Sequence, residues 1–185
     1  MGESNLVGIA AGEAAAPWAA IIHAALVTAG IRQAAYVPDA GLARLIEMLR
    51  NTADVKTVSL TTEEEGVALC AGAWLGGERA VLLMQSSGVG NCVNMFSLLG
   101  SCRFPFLAVV TMRGEWAEFN PWQIPMGRAT PQAFEMMGIR ALRVDSLAEL
   151  ADTAAAAVSM AFDSDQQIAI LLSQQLLGRK DWGAQ

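Results

Sequence analysis

With 185 residues, 54% of them hydrophobic, the chain has the length of one domain and enough apolar material for a sizeable core, leaving no room for a second catalytic domain. A formal charge of -6 excludes a reader of the nucleic-acid phosphate backbone, which depends on clustered Lys and Arg. No apolar run reaches the length that spans a bilayer, so no membrane partner is expected.

The start MGESNLVGIA lacks the basic residues of a signal peptide, and Leu6 stands where a myristoylation signal carries Ser or Thr. Cys70, Cys92 and Cys102 cannot all pair within one chain and form no CxxC, which points to reduced thiols in a cytoplasmic protein. A mean hydropathy of +0.37 is high for a soluble domain and predicts apolar surface buried in an oligomer.

Taken in chain order, Pro17 to Gly30 carries Trp18, Ile21, Ile22, Ala25, Leu26 and Ala29 as a helical stripe that Gly30 ends. Ala34 to Val37 reads as a short buried strand, and Leu42, Leu45, Ile46 and Leu49 form the next stripe. Lys56 to Leu60 is a second strand; Glu63 to Leu75 follows as a helix stopped by Gly76 and Gly77. Ala80 to Met84 and Phe106 to Val110 are almost wholly apolar, as strands covered on both faces are. Between them lie a glycine turn and a helix over Val89 to Leu99. The stretch RGEWAEFNPWQIPMG, 113–127, predicts a long loop with function or an interface behind it. A helix over Thr130 to Met137, a strand over Ala141 to Val144, a helix over Ser146 to Met160 and a strand over Gln167 to Leu172 complete the pattern. This alternation predicts an α/β fold with a doubly wound, mostly parallel sheet of about six strands.

Two motifs stand where ligands bind in such sheets, at the carboxyl ends of strands. Thr62-Glu63-Glu64-Glu65-Gly66 opens a helix; Thr62 and Glu65 have capping-box spacing, and the helix dipole favours acids in a first turn. Capping accounts for one glutamate, and the clustering makes Glu64 a candidate for chemistry. Gln85-Ser86-Ser87-Gly88-Val89-Gly90-Asn91 joins a strand to a helix with small residues that let a ligand approach the backbone. It carries neither GxGxxG nor a Walker Lys, and a tight turn capped by Ser86 or Ser87 is the plainer alternative. His23, beside the apolar face of the first helix, reads as a core or interface histidine, and the cysteines lack metal spacing.

The stretches TTEEEGVALCAGAWLGG, VLLMQSSGVGNCVNMFSLL, PFLAVVTMRGEWAEFNPWQIPMG and LLSQQLL resemble the pyrimidine-binding (PYR) half of thiamine diphosphate enzymes. The likeness is greatest to the alpha subunits of sulfopyruvate decarboxylases and the amino-terminal half of phosphonopyruvate decarboxylases. It implies a PYR domain over 15–178, between an N-terminal extension, 1–14, and a tail, 179–185. It implies that Glu64 is the catalytic glutamate that hydrogen-bonds N1′ of the cofactor's aminopyrimidine. Ser87, Gly88, Val89, Gly90 and Asn91 resemble the turn beside the pyrimidine, with Gln85 reaching the same pocket and Pro38, in Val37-Pro38-Asp39, in the opening loop. Arg113, Glu115, Asn120 and Gln123 resemble the substrate-facing loop, Arg113 being the candidate for an anionic group; a loop-organising ion pair with Glu115 or Glu118 is its alternative.

The GDG and asparagine-rich elements that hold the diphosphate through Mg²⁺ in this family do not occur, and Phe162-Asp163-Ser164-Asp165 does not match them. The resemblance therefore implies a beta subunit that holds Mg²⁺, an α2β2 or larger assembly, no metal on this chain, and an anionic 2-oxo acid substrate. Sulfopyruvate is the first expectation, with phosphonopyruvate or another 3-substituted pyruvate open. The rival readings are a catalytically silent structural or regulatory subunit and a flavodoxin-like small-ligand binding module.

Overall fold

Three continuous apolar runs become the centre of the sheet: β3 (Arg79–Gln85), β4 (Phe106–Thr111) and β6 (Gln167–Leu172) lie side by side, covered on both faces. The structure, a computed structural model, describes residues 17–178; the expected extension and tail, with positions 15 and 16, lie outside the described residues. β1 (Ile31–Tyr36) and β2 (Lys56–Ser59) extend the sheet on one side and β5 (Arg140–Val144) on the other. All six strands are parallel, in the order β2-β1-β3-β4-β6-β5, which bears out the doubly wound fold.

Alternate residues of each strand feed two cores. Val81 and Leu83 of β3 face α1 (Pro17–Thr28), α2 (Ala43–Arg50) and α7 (Leu147–Phe162), whose Ile22, Leu26, Leu45 and Leu150 are fully buried. Leu82 and Met84 face α3 (Glu63–Leu75), α4 (Ser86–Cys92), α5 (Phe96–Cys102) and α6 (Ile124–Met136). There Phe96 packs between Phe106 and Phe134, with ring centroids 6.0 and 5.3 Å away. Among the described residues no helix is long and apolar enough to cross a membrane.

Three expectations need correction, and one element is added. The helix expected over Val89 to Leu99 is two: α4 starts earlier, at Ser86, and the chain breaks at 93–95 before α5. The long loop is shorter than expected, because a 3-10 turn at Pro121–Gln123 runs into α6 at Ile124 rather than Thr130. The cause is local: Asn120 caps the turn by accepting from the Trp122 amide, and Pro121 occupies the first position, where its missing N–H costs nothing. The capping box at Thr62 does not form; the Glu65 carboxylate takes the Thr61 amide, and the Thr62 hydroxyl turns to Glu64. Finally, a four-residue helix α8 (Gln174–Leu177) follows β6, capped by Ser173 accepting from the Leu176 amide.

The strand order reverses twice. The chain leaves β1 for edge strand β2 and returns as β3 on the other side of β1; it passes from β4 to β5 and then fills the gap with β6. Both reversals open crevices at the carboxyl edge, where Gln85, Thr111 and Leu172 stand level in the register.

Phe96→Ala should lower stability by about 3–5 kcal/mol, since its cavity is walled by two other rings and the sheet. Chemical unfolding checks this; a loss under about 1 kcal/mol would mean that α5 is not packed on the sheet as described.

Candidate functional site

The first turn of α3 separates its acids by direction. Successive helical residues differ by about 100°, so three glutamates in a row cannot share an environment. Glu63 points inward and is 9% exposed; Glu64 is half-buried; Glu65 faces solvent. The Thr62 hydroxyl, and then the Glu64 amide, hold the Glu64 carboxyl below the usual carboxylate range, so it is an anion at neutral pH. α4 packs against this turn. Burial first, and then the charges of Glu63 and Glu64, push the Cys92 thiol of α4 up, so both acids act on the glycine turn.

Within α4 the side chains are committed internally. Ser87 donates to the Gln85 side-chain oxygen at 2.8 Å, and Asn91 donates to Glu63 at 2.8 Å. Ser86 is fully buried, accepts from the Arg113 amide at 3.1 Å, and offers its carbonyl to Thr130. Val89 is core. What the turn presents outward is Gly90, exposed, with Met126 beside it.

Asp39 ties the first crevice shut at its base. Its carboxylate accepts from Gln85 at 3.0 Å, from Thr111 at 3.3 Å and from the Gly41 amide at 3.0 Å, so the ends of β1, β3 and β4 share one anchor. Pro38 is exposed beside it and sets the turn. A cavity of about 220 Å³ opens on the α1 side of this anchor, lined in part by Trp18, Asp39, Arg44, Arg113 and Gln174.

Beyond β4 the chain folds around a buried ion pair. Arg113 donates through Nε and Nη2 to the two Glu118 oxygens at 2.8 and 2.7 Å, with side-chain exposures of 10% and 3%. Glu118 also accepts from the amides of Gly114 and Asn120 and from the Gln174 side chain. The Arg113 guanidinium, and after it these donors, bring the Glu118 carboxyl down to about 2. Glu115 pairs with Arg143 instead, and its amide bonds Gln174. Gly114 and Gly127 let the backbone cross here: a Cβ on Gly127 would overlap the Arg113 carbonyl, and Gly114 has φ +76°. Among the described residues, the Gln123 side-chain oxygen is buried without a hydrogen-bond partner. Trp116, Phe119 and Trp122 are 45%, 51% and 85% exposed, an apolar surface on one loop.

Two relatives decide the family. The chain is 34% identical to the sulfopyruvate decarboxylase subunit alpha of Methanothermobacter thermautotrophicus over 82% of this chain and 92% of that protein. It is 36% identical to the subunit alpha of Methanococcus maripaludis over 64% of this chain and 71% of that protein. The chain belongs to the sulfopyruvate decarboxylase alpha-subunit family. It therefore has a place among 2-oxo acid decarboxylases. Phosphonopyruvate decarboxylase of Streptomyces viridochromogenes is 35% identical over 64% of the chain, which matches 30% of that longer protein. No protein-family model matches the chain. In fold it is similar to a 2-oxoglutarate:ferredoxin oxidoreductase of Magnetococcus marinus, with a TM-score of 0.67, 14% identity, and coverage of 91% of this chain and 33% of that one.

The structure brings Glu64, Gln85 and the 87–91 turn together at the first crevice, and links Arg113 to it through Ser86. Glu115 is carried away toward β5, and Asn120 is a helix cap. Sequence reasoning passed over Glu63, Asp39 and Gln174, which hold these pieces in place. Asp39 was visible as the acid after Pro38 at a strand end; nothing local distinguishes Glu63 or Gln174. His23 bonds the Thr52 hydroxyl at 2.7 Å, far from this edge in sequence and on the α1–α2 side. Cys70, Cys92 and Cys102 are free thiols.

Glu118→Gln should lower stability by about 3–5 kcal/mol at pH 7, because the buried Arg113 charge loses its counterion. The folded carboxyl lies below its ordinary 4.5, so the wild-type contribution is full above that pH and drains away as pH falls toward about 2. Unfolding curves across that window should converge for the two proteins; a constant gap would contradict the assignment.

Proposed function

We propose that this chain is the alpha subunit of a thiamine diphosphate-dependent decarboxylase that converts sulfopyruvate to sulfoacetaldehyde and CO2, supplying the pyrimidine-facing half of a site completed by a beta subunit. The observation that carries the reading is the Glu64 carboxylate: ionised, half-buried, at the carboxyl edge, and beside the glycine turn. The donor set fits the cofactor. Thr62 is the hydrogen-bond partner of Glu64 within the fold, and among the described residues neither Lys nor Arg pairs with it, so the carboxylate retains capacity for a ring nitrogen. Gly90 is exposed with the Met126 sulfur beside it, and the two would offer apolar contact to an aromatic ring.

When bound, thiamine diphosphate supplies the nucleophile and the electron sink for cleavage next to a 2-oxo group. Glu64 would hold a proton at the pyrimidine N1′, a bond that strengthens once a partner surface excludes water from the half-buried carboxylate. The backbone of Ser87 to Gly90 would line the pyrimidine, while Gln85 and Asn91 act through Asp39 and Glu63. On the substrate side, Gln123 keeps an unused buried oxygen, whereas Arg113, with Nε and Nη2 held by Glu118, would meet an anionic group through its remaining N–H groups. Glu115 and Asn120 would shape the loop rather than touch substrate. The beta subunit would hold the diphosphate and Mg²⁺, and the exposed Trp116, Phe119 and Trp122 would meet a partner surface in an α2β2 or larger assembly. Phosphonopyruvate is the second substrate to compare, supported by the Streptomyces relative.

The test is CO2 release from sulfopyruvate and from phosphonopyruvate by the chain co-expressed with a partner carrying the GDG element, with cofactor and Mg²⁺ added or omitted. Release should depend on the cofactor, and Glu64→Gln should cut it by about 100-fold or more while the assembly persists. Comparable release from the Glu64→Gln protein would sink the role of Glu64; a stable assembly with bound cofactor and no release from either acid would reject the reaction.

A further inference from the structure

The acid that enters the protein is Glu63, not Glu64. A buried carboxylate is costly unless hydrogen-bonded, yet Glu63 lies 9% exposed with Asn91 Nδ2 at 2.8 Å from one oxygen. Its stem and other oxygen rest on the bare Cα of Gly88, where a Cβ would come within 3.0 Å of three Glu63 side-chain atoms. That seat belongs to α4, twenty-five residues on, and it exists because position 88 is glycine. The first turn of α3 has no side-chain cap from Thr62; Glu65 holds the Thr61 amide and Gly66 sits against Leu82, while the Glu63 contact is the one that ties the turn to α4 by a hydrogen bond.

We propose that Glu63 is a positioning residue for Glu64: seated on Gly88 and bonded to Asn91, it fixes the rotation of the first turn of α3 against the glycine turn and so aims the Glu64 carboxylate. The inference rests on the reading of Glu64 as the group that meets the cofactor. Neighbours on a helix are about 100° apart, so a turn that cannot rotate at Glu63 cannot rotate at Glu64. The acidic turn and the glycine turn thereby form one unit through Glu63, whose own carboxylate faces inward.

Two arms test this on the full-length chain with its partner. In steady-state decarboxylation, Glu63→Ala should lower kcat by about tenfold or more with KM for the 2-oxo acid little changed, because misaim costs rate rather than substrate binding. Glu63→Gln keeps the shape and an oxygen for Asn91, and should restore most of kcat. Gly88→Ala should imitate Glu63→Ala, and the double variant should be no worse than either alone. In amide hydrogen exchange on the same proteins, Glu63→Ala should speed exchange over 87–91 by about tenfold while Glu64→Gln leaves it unchanged. Wild-type kcat in Glu63→Ala, or a Glu63→Gln protein as impaired as the Glu63→Ala one, would overturn the proposal, the second by showing a role for the charge itself. Exchange over 87–91 that ignores Glu63→Ala would overturn it too. If wild type releases no CO2, the reading of Glu64 fails by itself, and the exchange arm still decides whether Glu63 locks the two turns.

Discussion

The reversal of strand order between β1 and β3 governs the rest of this molecule. Strands that leave the sheet in opposite directions cannot close the space above their carboxyl ends with their own backbone, so side chains must do it. Asp39 does so at the base, gathering Gln85, Thr111 and the Gly41 amide onto one carboxylate. Glu63 does so at the wall, joining α3 to α4. Internal acids thus hold the crevice in shape, and Glu64, a neighbour of one of them, is left facing outward. The Thr62 hydroxyl and then the Glu64 amide hold that carboxyl below its ordinary range and keep it ionised, which suits the proposed bond to a ring nitrogen.

The second reversal, between β4 and β6, is closed differently. There the Arg113–Glu118 pair is desolvated, and the cost of burying two charges is offset by the further donors that Glu118 collects from Gly114, Asn120 and Gln174. The loop is built rather than slack, and Gly114 and Gly127 allow its backbone to pass close to itself. This arrangement changes the weight of the arginine: its first commitment is to the fold. It also explains how three aromatic side chains can stand in solvent on a fixed scaffold, ready to be covered.

Much of this was legible in the residues. The apolar runs at Ala80 to Met84, Phe106 to Val110 and Gln167 to Leu172 announced buried parallel strands, and Glu63 to Leu75 matched its helix to the residue. The start of α6 was obscured because Pro125 and Gly127 read as part of a loop, although Asn120-Pro121 carried a cap and a first-turn proline. Three consecutive glutamates are indistinguishable to local reasoning, since their fates depend on Gly88, on a distant turn. The choice between Glu115 and Glu118 for Arg113 was likewise a tertiary matter, decided by Gln174 and Arg143 arriving from other parts of the sheet.

The most direct test of Glu64 as the activating carboxylate follows the exchange of the thiazolium C2 proton of thiamine diphosphate into deuterated water, with no substrate present. On the proposed reading, exchange should be much faster with this chain assembled on a beta subunit than with the beta subunit alone, because Glu64 would supply the activating carboxylate. Equal rates in the two samples, with cofactor bound in both, would contradict that role.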